Sequence, residues 1–497
     1  MSWEKVISFS ELEQKKRFSF KKASKQIAIF KLGEKIFAVD NRCPHQGYPL
    51  VEGSLDSDQT LVCHWHNWKF DIQTGKCKSG GDPVRTYPIK EEGGFVWLNL
   101  STPSKEEIEK EILQGFREGF QKNKLGRITR ELAKLHFYGL DPLVAIREAV
   151  KLACERMSFE HALSVVSDWL EIYSDNPKNF ENQLICLMEI SDYLAEEGLS
   201  KKPLSFNSSE RKKFRELEWS LTQKTLDGYY DLGHAVIHLY RIGRLIDFLG
   251  NSLGPDLLCS FEDYLSHAKR EDLLPEFQDF SHYLKLYPRK KRIKKKIKKL
   301  NADWLIGKTS TEAMKWVAQQ AKDYSAHELY ECLVEINART LLSFDLSFQI
   351  SFSRPVSQNV EFKDVAHGLL FAHAVKKQCE KFPELWPQGL LQLACFSGRF
   401  QAFRDRSVQL KTWEVKNQKK FMQEIQNKVL DHGLGSFVQS THWVQTYVAV
   451  KEMLKDALPQ TSRYLLAALN RYLHSPMKEK HLRRKARQNI LLISKDF

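Results

Sequence analysis

The sequence predicts an α+β multidomain protein: a small antiparallel β domain over residues 1–100, a linker at 101–107, and a large all-α region over 108–497. Three observations carry this expectation. Apolar runs of strand length, punctuated by glycine and proline, fill the first hundred residues. Beyond them, apolar residues recur with a helical period. The composition, 42% hydrophobic and 28% charged, suits a chain with real cores.

In the first segment, Ile27–Leu32 and Lys35–Val39 flank Gly33-Glu34, which reads as a hairpin. Thr60–Val62, Trp68–Ile72 and Phe95–Leu100 continue the pattern, with Gly75, Gly80-Gly81, Pro83 and Gly93-Gly94 as turns. After the polar stretch Ser101-Thr102-Pro103-Ser104, the pair Ser104 and Glu107 fits a capping box that opens the first helix. Residues 143–157, 234–249 and 387–396 have helical periodicity, and breaks fall at Asp141-Pro142, Asn176-Pro177, Gly254-Pro255 and Arg354-Pro355. No fixed repeat argues for a solenoid.

The net charge of +14 is largely local. Residues 289–299 (RKKRIKKKIKK) carry nine basic side chains and no acidic one, leaving +5 for everything else. The run reads as a solvated linker or helix face that divides the helical region, with attraction to an acidic partner or anionic lipid as the alternative. It has no interleaved aromatics, so specific nucleic-acid recognition is not expected. Of the nine cysteines, seven (Cys77, Cys154, Cys186, Cys259, Cys332, Cys379 and Cys395) are scattered singly, which suits reduced thiols rather than a disulfide framework. No apolar run approaches the roughly 18–20 residues of a membrane span. The opening Met1-Ser2-Trp3-Glu4-Lys5 is unlike a secretory signal. A cytoplasmic location is therefore expected.

The remaining two cysteines lie in Cys43-Pro44-His45-Gln46-Gly47 and Cys63-His64-Trp65-His66-Asn67-Trp68, with seventeen residues between His45 and Cys63. Each loop offers one thiolate and one imidazole. Zinc sites use the same residue types, but usually place two to four residues between the first pair. A one-residue Cys-x-His step is unusual for zinc. CPHQGYPL and CHWHNWKFDIQTG resemble the cluster loops of bacterial Rieske ferredoxins and ring-hydroxylating oxygenases, and the resemblance spans about residues 3–100. It implies one [2Fe–2S] cluster, with Cys43 and Cys63 on one iron and His45 and His66 on the other. His64 falls one residue off register and reads as an ordinary loop side chain. Rieske proteins of respiratory bc complexes carry two further cysteines that bond their loops together. Tyr48 and Trp65 stand at those positions here, which implies the ferredoxin and oxygenase subtype.

In ring-hydroxylating oxygenases a Rieske domain feeds a non-haem iron held by two histidines and a carboxylate. Residues after 101 read as helical and match no such segment, so that activity is not carried over. Two helical-looking segments still offer metal donors. Asp231, His234 and His238 fall at i, i+3 and i+7, within an arc of about 60° on a helix. Asp364 and His367 share a second face, whereas His373 points elsewhere. Together Asp231, His234, His238, Asp364 and His367 define a candidate non-haem iron site; buried histidines bonded to carboxylates explain the same pattern without metal. The expected function is one-electron transfer from a reductase or ferredoxin to a redox or oxygenase-like site in the helical region, with a small-molecule substrate if that site is catalytic. The alternative is a redox-sensing or electron-carrier module whose helical part is a docking or regulatory body.

Overall fold

The computed structural model describes residues 3–101, 103–199, 214–288, 300–355, 358–478 and 481–493. The basic run at 289–299 lies outside them. The chain divides into two compact units, residues 1–119 with 126–140, and residues 120–125 with 141–497.

The first unit holds ten strands: β1 (Trp3–Ser8), β2 (Arg17–Lys22), β3 (Lys25–Leu32), β4 (Lys35–Asp40), β5 (Ser54–Leu55), β6 (Thr60–Val62), β7 (Lys69–Asp71), β8 (Cys77–Ser79), β9 (Ile89–Glu92) and β10 (Phe95–Asn99). They form three antiparallel sheets ordered β1-β10-β9, β2-β3-β4 and β5-β6-β7-β8. Strand β3 is apolar on both faces, and alternation sends its side chains into two cores. Ala28 and Phe30 pack with Val39, Leu61, Phe70 and Ile72, while Ile27 and Ile29 pack with Leu12, Val96 and Leu98. The expected hairpin is present, with Leu32 paired to Lys35 across a turn whose Gly33 has φ of 56°.

Gly75 closes the turn between β7 and β8 at φ of 74°, donating its N–H to the Asp71 carbonyl. A Cβ at this position would lie 2.0 Å from the Val84 carbonyl oxygen. Gly75→Ala is therefore expected to destabilise the unit by about 2 kcal/mol or more, from left-handed strain plus a backbone clash. Thermal unfolding followed by loss of cluster absorbance measures this, and an unchanged midpoint would refute it.

The first unit does not stop at residue 100. Ser104 and Glu107 form the expected reciprocal cap, opening a helix over Lys105–Gln121, and a second helix follows over Leu125–Phe137. Arg127 and Arg130 of that second helix both pair with Asp82, which is buried. The break between compact units thus falls near residue 140 rather than at the expected linker 101–107.

Among its described residues the second unit is built of helices. Its interior contains the helices His161–Asp175, His234–Leu249, Phe362–Lys381 and Phe437–Met453. The last is buried on every side, although Gln439, Ser440, Thr441, His442, Gln445 and Thr446 are polar. Buried polar side chains need partners, and several here bond within the helix bundle: Thr446 to the His442 carbonyl, and Gln445 to Ser164. Arg241 makes a two-point ion pair with Asp168, at 2.6 and 3.1 Å. Among the described residues no helix is long and apolar enough to cross a membrane.

Candidate metal centres

Two loops at one end of the β domain are built alike. Residues 43–48 leave β4 and residues 63–68 join β6 to β7. In each, the cysteine N–H donates to the carbonyl five residues on (Tyr48 at 2.9 Å, Trp68 at 2.8 Å), and its own carbonyl accepts from the residue four on (Gly47 at 2.8 Å, Asn67 at 3.0 Å). Gly47 and Asn67 hold matching left-handed conformations, with φ of 80° and 56°. Two equal turns therefore face each other across the domain end.

The turns point their thiols inward and their imidazoles outward. Cys43 and Cys63 are buried within the apolar core. Burial pushes the Cys43 thiol up to about 11, with the neighbouring Cys63 adding to the shift. His45 is half-buried, His66 is exposed, and their Nδ1 atoms approach to 3.0 Å. Trp68 stacks on His45 with ring centroids 4.8 Å apart. Gly80 and Gly81 fit against that indole, since a Cβ on Gly80 would lie 2.4 Å from it. Asp82, next in the chain, is the residue held by Arg127 and Arg130. The second helix thus braces the turn that supports Trp68, and Trp68 supports His45. Tyr48 and Trp65 meet across the two loops at 5.8 Å. His64 is exposed, and Cys77 packs against the core beside the loops.

Residues 2–88 match the family profile described as Rieske [2Fe-2S] domain. The ferredoxin subunit of 3-phenylpropionate/cinnamic acid dioxygenase from Escherichia coli K12 is 38% identical over 76 residues, which cover 15% of this chain and 72% of that protein. The chain belongs to the Rieske [2Fe–2S] family. The same subunit in Shigella flexneri aligns equally well, at 38% over 76 residues, again 15% of this chain and 72% of that protein. Among solved structures, the ferredoxin of carbazole 1,9a-dioxygenase from Nocardioides aromaticivorans IC177 is 20% identical, covering 20% of this chain and all of its own, with a TM-score of 0.20.

The Rieske domain implies a [2Fe–2S] cluster, and the residues present fit one. Two adjacent buried thiols provide soft, charged donors, and two outward imidazoles with converging Nδ1 atoms provide neutral ones. Trp65, and not a cysteine, faces Tyr48, as the ferredoxin and oxygenase subtype implies.

In the helical unit the structure brings together only part of the set expected from sequence. His234 and His367 meet, with their Nε2 atoms 2.9 Å apart. Asp231, His234 and His238 do not lie on one continuous helix, because Asp231, Leu232 and Gly233 have φ of 46°, 54° and 83° and the helix begins at His234. The Asp231 carboxylate turns away, accepting from the Lys269 N–H and the Tyr264 hydroxyl. Asp364 caps its own helix through the Glu361 N–H and pairs with Lys363. His238 places Nδ1 3.1 Å from the Ser164 hydroxyl. Two histidines not singled out from sequence complete the group instead. His161 Nε2 lies 3.2 Å from that of His234, and His442 Nε2 lies 3.1 Å from that of His367. The unabsorbed signal for His442 is its position among polar residues on a helix buried all round.

Proposed function

This is an electron-transfer Rieske protein, and we infer that it carries single electrons from a reductase or ferredoxin to a redox or oxygenase-like site in its own helical unit. The exposure of His66 beside the half-buried His45 supports this most directly, since it gives a partner protein access to the histidine side of the centre. Cys43 and Cys63 would hold one iron, and His45 and His66 the other. When bound, the cluster supplies one reversible electron.

The chain's own residues set the direction and environment of that exchange. Trp68 stacks on His45 and Trp65 on His66, and His66 is the more exposed of the two residues. The Nδ1 atoms of the two imidazoles turn toward one another. Cys43 and Cys63 stay in an apolar core that keeps water from the sulfur side. The relatives named as ferredoxin subunits of a dioxygenase support an oxygenase-type acceptor.

Replacing His66 by Cys tests the ligand set. A charged thiolate in place of a neutral imidazole is expected to abolish the Rieske electron-paramagnetic-resonance signature and to drop the potential below the roughly −150 to +300 mV Rieske range. An unchanged spectrum would mean that His66 is not a ligand. The acceptor site is tested separately. Reductive titration of chain reconstituted anaerobically with ferrous iron and sulfide is expected to take up more than one electron per chain, and uptake of one alone rejects a second redox site.

A further inference from the structure

Four histidines from four helices converge inside the helical unit. His161 and His234 are the first residues of their helices, while His367 and His442 lie within theirs. All four can offer a donor atom within 4.8 Å of every other. The successive Nε2 separations are 3.2, 2.9 and 3.1 Å. An ion about 2.0–2.1 Å from each of four nitrogens sets neighbouring nitrogens about 3.3 Å apart in a tetrahedron, or about 2.9 Å along the edges of a square. The observed spacings sit in that range.

Hydrogen bonding alone leaves this arrangement poorly satisfied. His234 donates Nδ1–H to the Asp231 carbonyl, and His442 donates Nδ1–H to the Val438 carbonyl at 2.6 Å. A neutral imidazole that donates from Nδ1 has a bare lone pair on Nε2. Two such lone pairs therefore approach the single Nε2 of His367, whose one proton could serve only one of them well. A carbonyl partner on the outer nitrogen is also the usual companion of a metal-bound imidazole, because it fixes the tautomer and the ring's aim. Burial, followed by the neighbouring rings, holds His161 and His367 well below the usual imidazole range, and burial brings His442 down to about 3. Burial lowers His234 as well, and all four shifts favour the neutral, donor form of the ring.

The backbone is bent to make this happen. Asp231 and Leu232 both adopt left-handed conformations, which are strained for residues other than glycine. The turn is held by the Leu232 N–H donating to Glu271 and by the two bonds to the Asp231 carboxylate. It is also pressed against Phe371, whose ring would lie 2.4 Å from a Cβ at Gly233. Asp231, Glu271 and Asp364 place negative charge near His234, the sign that a cation needs, while Lys363 opposes them and is itself paired with Glu361 and Asp364. By residue exposure His161 and His234 are partly exposed and His367 and His442 are buried.

We propose that His161, His234, His367 and His442 hold one divalent first-row transition-metal ion through their four Nε2 atoms. An all-imidazole set suits zinc, copper, iron or nickel, and disfavours magnesium and calcium, which prefer oxygen. The site stands apart from the electron-transfer reading, because occupancy by a redox-inert ion tests it.

Full-length protein bearing its iron–sulfur cluster, cleared of loosely held metal by a chelator and given one equivalent of zinc(II), is expected to keep one zinc per chain through gel filtration. Zinc-edge X-ray absorption should show imidazole nitrogens at about 2.0–2.1 Å. H367Q and H442Q are each expected to weaken zinc binding by more than about 100-fold. H474A, which alters an exposed imidazole bonded to the Asn470 carbonyl, should bind as the unaltered chain does. Loss of zinc from the unaltered chain, sulfur neighbours at the zinc edge, or unchanged affinity in both glutamine variants would each overturn the site. If a glutamine variant does not fold, the edge spectrum of the unaltered chain decides alone. The reductive titration above uses no zinc, so either reading can fail without the other.

Discussion

A Cys63→Ala chain is expected to purify without the colour of an iron–sulfur protein and with almost none of the two cluster irons. Cys63 is one of two thiols buried side by side beneath the loops. Metal binding and folding are coupled in small metal-bearing domains, so the first unit should also unfold at lower temperature. Cys77→Ala is the matched control. Cys77 packs against the same core, but it lies on β8 with no histidine in its turn, and its loss should leave iron content unchanged. Iron analysis of the two variants separates the cases: a pale Cys77→Ala chain or a coloured Cys63→Ala chain would show the thiol assignment to be wrong.

Asp168→Ala should destabilise the helical unit by about 3–5 kcal/mol. Asp168 and Arg241 are 4% and 1% exposed, so removing the carboxylate strands a guanidinium out of water. Its Nε and Nη2 both lose their acceptor, and Nη1 already has no hydrogen-bond partner. The loss comes from an uncompensated buried charge more than from the value of the pair itself. An Asp168→Leu/Arg241→Met double variant should accordingly recover most of the stability, since apolar replacement of both partners is often near neutral. Urea unfolding followed by helical circular dichroism measures both. A single variant with the unaltered midpoint, or a double variant no better than the single, would contradict this account.

Much of the first unit was legible because its signals are local. The run Ile27–Leu32 is a strand buried on both faces, and a two-residue turn sets its hairpin register. The Cys-x-His and Cys-x2-His steps are compact enough to read without any knowledge of tertiary structure. What stayed hidden was the extension to residue 140, because the tie between Arg130 and Asp82 spans 48 positions and leaves no periodic trace. The helical site was half legible. Helical spacing found His234 and His367, but it also drew in Asp231, which the left-handed turn removes from the helix, and Asp364, which is used as a cap. His161 and His442 were missed because convergence of four separate helices is a property of packing.

The tilted ring pair of Tyr48 and Trp65 has a consequence for how this domain meets its redox surroundings. A covalent sulfur bridge at that spot would open in a strongly reducing cell interior and close in an oxidising one. Aromatic packing is indifferent to glutathione and thioredoxin, so this contact between the two loops keeps the same strength whatever the thiol balance around it.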